Sequence, residues 1–298
     1  MKERGWDGEM KKIKVKAYAK INLSLDVLGK REDGYHEIST IMQSIDLADI
    51  LEFEKSEIVK VFCNDHRVPL GEDNLIVKVI NLLKEKYQME EGVLVKLDKR
   101  IPLAAGLAGG SADAAATIVA LDKLWNLNMS KEEKKEIALK VGADVPFCLE
   151  GGTKLAKGIG EIFEDLKITS MNLLLVKPDI EISTKEIYDK WDRLNFKSHH
   201  ATVPVVQAIQ EGNIYKIAEN IKNDLELVTS RECEVINQIK EELLKKGALG
   251  CAMSGSGPTV YGIFDDLQKL IKAYKDLEGI YSFVFFSKTI DKGLELYE

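Results

Sequence analysis

Residues 102–115, PLAAGLAGGSADAA, place glycines at 106, 109 and 110 just before a serine at 111 that opens an alanine-rich helical segment. Glycine lets backbone N–H groups converge closely because no Cβ intervenes. The free amides and dipole of a helix N-terminus favour an anion, and phosphate is the natural occupant. A plain glycine turn before a core helix is the bland alternative. Ala112, Ala114, Ala115 and Ala116 weigh against it, because small residues suit close packing beneath a ligand-binding loop. The loop belongs to neither common nucleotide class: GxxxxGK[ST] and GxGxxG are both absent from the chain.

A second glycine turn, MSGSGPT, covers residues 253–259. Alone it reads as a tight hairpin. Two such loops in opposite halves of a chain could clamp one substrate in a domain cleft. Three further side chains could carry chemistry. Lys20 could stabilise charge at a reacting oxygen, or be a solvated strand lysine. Asp144, in GADVPF, sits on a backbone stiffened by Pro146; it could be a general base or could serve turn hydrogen bonds. His36, beside Tyr35 after a tight turn, could hydrogen-bond a planar ligand or lie on the surface. His199 and His200 read as loop.

The elements that must position these groups follow from periodicity. Val15, Ala17, Ala19, Ile21, Leu23, Leu25 and Val27 alternate with polar residues, which predicts a half-buried strand with Lys20 and Asn22 on its polar face. Asp33-Gly34 turns the chain, and strands are predicted near 37–46 and 49–54. Helical spacing covers 74–87, and a strand covers 92–102, stopped by Pro102. Ser130 and Glu133 form a capping box for a helix over 131–140, ended by Gly142. GADVPF reads as a loop. The glycines at 151, 152, 158 and 160 mark a composition shift between halves. Beyond it, a strand at 171–178 precedes helices over 184–195, 204–227 and 231–246. Strand, glycine turn and strand follow at 248–264, then a helix at 266–277 and a strand at 281–290. Residues 1–10 read as a frayed arm.

Composition sets the outer bounds. At roughly 150 residues per domain, 298 residues predict two domains. With 42 Lys plus Arg against 49 Asp plus Glu, the net charge is −7. That balance argues against nonspecific nucleic-acid binding, which needs a positive field. The N-terminal residues lack an apolar segment of the secretory kind, and no apolar stretch is long enough to span a bilayer. Cys63, Cys148, Cys233 and Cys251 are widely spaced without a CxxC pair, so they read as reduced thiols of a cytoplasmic protein. No zinc-ligand pattern joins them to the four histidines.

With these motifs in hand, the chain resembles the GHMP kinases (galactokinase, homoserine, mevalonate and phosphomevalonate kinases). PLAAGLAGGSADAA resembles their phosphate loop, AYAKINLSLDVLGKREDGYHEI their N-terminal motif and AMSGSGPTVYGIF their C-terminal glycine motif. The resemblance covers nearly everything from Lys14 onward. The DGYH turn and GADVPF narrow it to the branch acting on 4-diphosphocytidyl-2-C-methyl-D-erythritol in the non-mevalonate isoprenoid route. It implies an α+β fold of two domains, residues 11–157 and 158–298, with the active site in the cleft between them.

The roles that the resemblance implies are specific. Lys20 and Asp144 match the catalytic pair. Pro102, Leu103, Ala104, Ala105, Gly106, Leu107, Ala108, Gly109, Gly110, Ser111 and Ala112 match the wrap around the ATP phosphates. Asn74 and Lys99 fall where the family lines its adenine region. Tyr35 and His36 match cytosine-recognition positions, and Tyr188 an aromatic on the other side of that ring. Asn22, Thr184, Gly255 and Ser256 fall at further substrate contacts. ATP is the implied phosphoryl donor, with Mg²⁺ arriving on it. Ala108 stands where many members have glycine, a methyl that is tolerable at negative φ. Another small-molecule GHMP kinase, of homoserine or mevalonate type, is the nearest alternative. A noncatalytic RNA-binding module is the alternative of a different class, because the N-terminal half of the family shares its fold with some translation proteins. The chain gives no oligomeric state.

Overall fold

The computed structural model describes residues 12–194 and 196–297, so the arm expected over 1–10 lies outside them. The alternating segment forms β1 (Lys12–Lys30), and its apolar positions from Val15 to Val27 are all buried. Its polar face is buried too, against the expectation of a half-exposed strand: Lys20, Asn22, Ser24 and Asp26 are nearly inaccessible. The reason is a second layer. Asp26 accepts hydrogen bonds from the amides of Ala201 and Thr202. The Tyr261 hydroxyl donates to the Asn22 carbonyl, 3.0 Å away. Polar groups can be buried on both faces of a strand when each has a partner.

One strand, β2 (His36–Ser56), replaces the two expected near 37–46 and 49–54. Its pairing with β1 shifts register between Tyr18↔Ala48 and Lys20↔Ser44, so the apparent break at 47–48 is a bulge within one strand. Next come β3 (Lys60–Cys63), α1 (Leu75–Tyr87) and β4 (Gly92–Asp98), the last ending short of Pro102. Helix α2 (Gly109–Leu124) packs on β1, and α3 (Lys131–Val141) carries the expected Ser130/Glu133 box. GADVPF is not a loop. It initiates α4 (Val145–Glu150), with Asp144 at the N-cap and Pro146 in the first turn, where its missing N–H is not needed.

The glycine-rich shift near 158 is a hairpin turn. β5 (Thr153–Gly158) pairs with β2, and β6 (Ile162–Leu166) returns along β5. The first sheet therefore continues past the boundary expected at 157/158. Beyond it lie β7 (Asn172–Lys177) and α5 (Thr184–Leu194). The single helix expected over 204–227 is divided into α6 (Thr202–Gln210), α7 (Ile214–Asn220), the short β8 (Lys222–Asn223) and the start of α8 (Glu226–Glu232). Gly212, at φ +64°, breaks it, and the Asn213 side chain caps α7. The remaining elements are α9 (Val235–Lys245), β9 (Gly250–Met253), β10 (Val260–Phe264), α10 (Leu267–Leu277), β11 (Phe283–Lys288) and β12 (Leu294–Tyr297). β12 was not anticipated; it pairs antiparallel with β1.

Among the described residues the first sheet runs β12-β1-β2-β4-β3, with β5, β6 and β8 attached, and the second runs β11-β7-β10-β9. One buried apolar cluster joins the first sheet and its helices to one face of the second sheet, through Leu173, Leu175, Tyr261 and Ile263. A second, with Leu174, Val176, Val260 and Phe264, covers the other face of the second sheet and takes in Leu25 and Val27 at the end of β1. All four cysteines are free thiols.

Candidate active site

Lys20 emerges from β1 with its Nζ 3.6 Å from Asp144 Oδ2; the side chains are 5% and 34% exposed. The lysine also donates to Asn22 Oδ1 at 2.8 Å, while Asn22 Nδ2 donates to Thr40 Oγ1 at 2.8 Å. Both ends of the Asn22 amide are thus engaged. Asn22, expected to contact substrate, lines the cavity and also aims Lys20. Asp144 makes no side-chain cap bond to α4. Its carboxylate is therefore not consumed by turn hydrogen bonds, and it reaches both the lysine and the open space beside it.

The phosphate loop turns through three residues at positive φ: Ala104 (+47°), Gly106 (+72°) and Ala108 (+57°). The condition under which a methyl at Ala108 is tolerable, a negative φ, is therefore not met. An L-residue in this region costs about 1–2 kcal/mol, which the surrounding contacts must offset. Helix α2 opens at Gly109, two residues before the expected Ser111, and no side chain caps it. The amides of Gly109, Gly110 and Ser111 are first-turn donors without intrahelical partners, the arrangement that receives an anion. The Ala112 amide is already bonded to the Ala108 carbonyl at 2.9 Å and the residue is fully buried, so Ala112 is not a phosphate contact. The Lys20 amide donates to the Leu107 carbonyl at 3.2 Å, tying the loop to the strand that carries the lysine.

The two glycine loops meet. Ser254 Oγ donates to the Gly106 carbonyl at 2.8 Å and accepts from the Asn22 amide at 3.3 Å. A Cβ on Gly106 would lie 2.1 Å from the Ser254 carbonyl oxygen. A Cβ on Gly255 would lie 3.2 Å from the Gly106 carbonyl oxygen. Ser256 and Thr184 share a hydroxyl–hydroxyl bond of 2.8 Å, joining this turn to α5.

Lys99 and Asn74, both expected beside the adenine, are placed differently. The Asn74 side chain caps α1 through the Ile76 amide and donates to the Pro69 carbonyl, and it does not line the cavity. Lys99 reaches the cavity wall, but its ammonium lies between two carboxylates, 2.5 Å from Asp49 and 2.7 Å from Asp113, all nearly inaccessible. Asp49 has both oxygens satisfied, accepting also from the amides of Arg100 and Ile101. Asp113 Oδ1 has no partner. Burial, with the Asp49 charge adding to it, pushes the Asp113 carboxyl up to about 8 against the opposing pull of Lys99. Lys99 is held up at about 12 because the carboxylates outweigh its desolvation. The cluster is thus one ammonium, one carboxylate and one acid, neutral beneath a loop built for anions.

One cavity of about 900 Å³ takes in Lys20, Asp144, the loop from Pro102 to Ser111, and the Tyr35–His36 turn. Thr184, Tyr188, Gly255 and Ser256 close it from the second layer. Tyr35 is 60% exposed at its mouth. Tyr188 stacks directly on the His36 ring, with centroids 4.7 Å apart and planes 27° apart. Burial raises its phenol pKa, so it stays protonated. Sequence reasoning missed Thr40, Ser254, Asp49, Asp113 and Asp192. All act through another side chain or the loop. Ser254 and Asp113 lay inside the two glycine motifs, which could have flagged them; the other three lay in none. Among the described residues no three His, Cys, Asp or Glu side chains are grouped to hold a metal, and no helix is long and apolar enough to cross a membrane.

A loop of first-turn amides joined to a buried lysine paired with a half-exposed aspartate, in a cleft between two α+β layers, defines a class of phosphotransferase. Residues 74–152 match the N-terminal domain of the GHMP kinases and residues 205–281 their C-terminal domain. The chain belongs to this family of ATP-dependent small-molecule kinases. It is 96% identical over 289 residues to the 4-diphosphocytidyl-2-C-methyl-D-erythritol kinase of Thermoanaerobacter pseudethanolicus, covering 97% of this chain and 100% of that one. The enzyme of the same name from Caldanaerobacter subterraneus is 61% identical, covering 96% and 99% of the two chains. A crystal structure of 4-(cytidine 5'-diphospho)-2C-methyl-D-erythritol kinase superposes with a TM-score of 0.79 at 28% identity, covering 93% of this chain and 98% of that one. Homoserine kinase from Cytophaga hutchinsonii shares the fold, with a TM-score of 0.76 at 21% identity over 99% of this chain and 100% of its own.

Proposed function

We propose that this protein transfers the γ-phosphoryl group of ATP to the tertiary 2-hydroxyl of 4-diphosphocytidyl-2-C-methyl-D-erythritol, in the non-mevalonate route to isoprenoid precursors. The observation that carries the reading is the Lys20–Asp144 pair, at 3.6 Å, standing in one cavity between the phosphate loop and the Tyr35–His36 turn. The names of relatives up to 96% identical favour this substrate.

The roles follow from chemistry. Phosphoryl transfer asks the protein mainly to position reactants and to stabilise charge. The amides of Gly109, Gly110 and Ser111 receive the ATP phosphates, which lets an acidic protein bind a polyanion through its backbone. Tyr35, His36 and Tyr188 take the cytosine end. The carboxylate of Asp144 accepts the proton of the substrate hydroxyl as the oxygen attacks phosphorus. Lys20 pairs with that carboxylate and balances charge on the moving phosphoryl group. Mg²⁺ comes with the nucleotide; such ions are commonly held by phosphates, water and one or two carboxylates. Steady-state assays with ATP and the cytidine compound, homoserine or mevalonate test the reading. Turnover of the cytidine compound alone supports it, and turnover of either other alcohol at equal efficiency overturns it.

A further inference from the structure

The buried imidazole of His36 is held by one face of one helix. Tyr188 stacks on it, and four residues on, Asp192 places Oδ1 2.7 Å from Nε2. An i, i+4 pair projects from the same side of a helix. The second oxygen of Asp192 accepts from Lys30 Nζ at 2.6 Å. Burial raises the Asp192 carboxyl, but the hydrogen bonds from His36 and Lys30 outweigh it and hold the group below the usual carboxylate range. An ionised carboxylate can only accept hydrogen bonds. The proton between the two groups must therefore sit on Nε2. Nδ1 has no partner among the described residues, and the ring lines the cavity.

We propose that Asp192 is a specificity-determining positioning residue: by keeping the proton on His36 Nε2, it presents Nδ1 to the cavity as an acceptor, which takes an exocyclic amino group of the base and repels a carbonyl oxygen in the same place. The assignment rests on the cytidine reading given above. Cytosine offers an amino donor at the ring position where uracil offers a carbonyl acceptor. Neutral imidazole has one donor and one acceptor nitrogen, and whichever nitrogen the protein engages decides what the other offers. Without Asp192 the proton is free to occupy either nitrogen. A site of this kind discriminates by leaving a buried polar group unpaired with the wrong ligand.

The test has a ligand-free arm and a kinetic arm. Imidazole ¹⁵N NMR of the free protein is expected to show His36 protonated at Nε2 in the wild type and in Asp192→Asn, which keeps an acceptor oxygen. In Asp192→Leu, which has similar volume and no acceptor, that fixed state is lost. Kinetically, Asp192→Leu is expected to raise KM for the cytidine substrate about 10–100-fold with KM for ATP unchanged, on the scale of a lost oriented hydrogen bond. Its preference for the cytidine over the uridine compound falls at least about tenfold, and Asp192→Asn recovers most of that preference. Wild-type His36 protonated at Nδ1, alone or together with Nε2, overturns the proposal whatever the substrate. So does an Asp192→Leu protein with wild-type base preference. A wild-type enzyme that uses both bases equally, with Nε2 protonated, overturns the cytidine reading and this role with it.

Discussion

Replacing Lys20 and Asp144 singly and together puts a number on the proposed chemistry. Two unit charges 3.6 Å apart attract by roughly 4–5 kcal/mol at the effective dielectric of about 20 that suits such sites. Water reaches Asp144, which is 34% exposed, and reduces that figure. Lys20 is 5% exposed and makes a second bond to Asn22, so its charge stays fixed during reaction. Loss of one preorganised charge typically costs about 10²–10³-fold in kcat. Lys20→Ala should fall in that range. Asp144→Asn removes the base and should lose about 10²–10⁴-fold. If the effects were independent, the double variant would lose about 10⁴–10⁷-fold. The 3.6 Å contact argues that they are not independent. The double variant should stay within about tenfold of the worse single one, as for residues that act as a unit. The assay is steady-state turnover with both substrates varied, beside nucleotide-analogue binding and thermal melting. Binding should persist, because the first-turn amides and the Tyr35–His36 turn are untouched. A kcat within about threefold of wild type for either single variant would remove that residue from the mechanism.

The glycine pair that starts α2 should respond asymmetrically. Gly109→Ala puts a methyl 2.9 Å from Lys99 Nζ and 3.0 Å from Ile101 Cγ2, and overpacking of this kind costs about 1–3 kcal/mol in urea unfolding. Gly110→Ala meets only Leu75 Cδ1 at 3.7 Å and should be neutral or stabilising by up to about 1 kcal/mol; equal destabilisation of the two variants would refute the distinction. Ala108→Gly removes a left-handed alanine at φ +57°. The relief of about 1–2 kcal/mol exceeds the glycine's extra unfolded-state entropy of about 0.5–1 kcal/mol. A melting temperature that drops would show that Ala108 is not strained. Asp113 keeps its proton to about pH 8 when folded and to about pH 4 when unfolded. The stability from that proton is fully present below about pH 4 and is lost as pH rises to about 8, at up to about 1.4 kcal/mol per unit. Asp113→Asn should flatten that slope in denaturant titrations at pH 5, 6.5 and 8, and an unchanged slope would place the proton elsewhere.

What the sequence revealed, it revealed through local rules. The period-two run of β1, the Ser130/Glu133 box and the glycine loop opening into an alanine-rich helix depend on near neighbours, and each element forms, although the polar face of β1 is buried and α2 starts two residues early. The pairing of Lys20 with Asp144 came from resemblance, since nothing local relates two residues on opposite sides of α2 and α3. The errors share a cause: tertiary contacts override local signals. Ala108 holds positive φ because the loop must turn into α2, and GADVPF becomes helical because its proline sits where a helix needs no donor. Family resemblance alone places Asn22 and Lys99 at ligand contacts. Their partners, Thr40, Asp49 and Asp113, are remote in the chain, so their consumption by other protein groups is invisible there. Asp192 carries no motif at all, and only the helical spacing from Tyr188 hints at it.

The glycines of the site have different jobs, which follow from what a side chain would strike. Gly106 faces the other glycine turn, where a Cβ would collide with the Ser254 carbonyl. It is required by contact between the two domains' loops before any nucleotide is considered. Gly109 faces inward onto the Lys99 cluster, and Gly110 meets only the tip of the Leu75 side chain. The phosphate loop is therefore clamped from two sides. The Ser254 turn presses on it from the second domain, and the neutral Lys99–Asp49–Asp113 cluster supports it from below. Ser254 bonds both to that loop, through the Gly106 carbonyl, and to the strand bearing Lys20, through the Asn22 amide. One hydroxyl from the second domain thus sets the donor loop and the catalytic strand in register. The second turn's amides need not touch phosphate to matter: by bracing the first loop they fix where the ATP phosphates lie relative to Lys20 and Asp144. Positioning of this kind is most of what a phosphotransferase protein contributes.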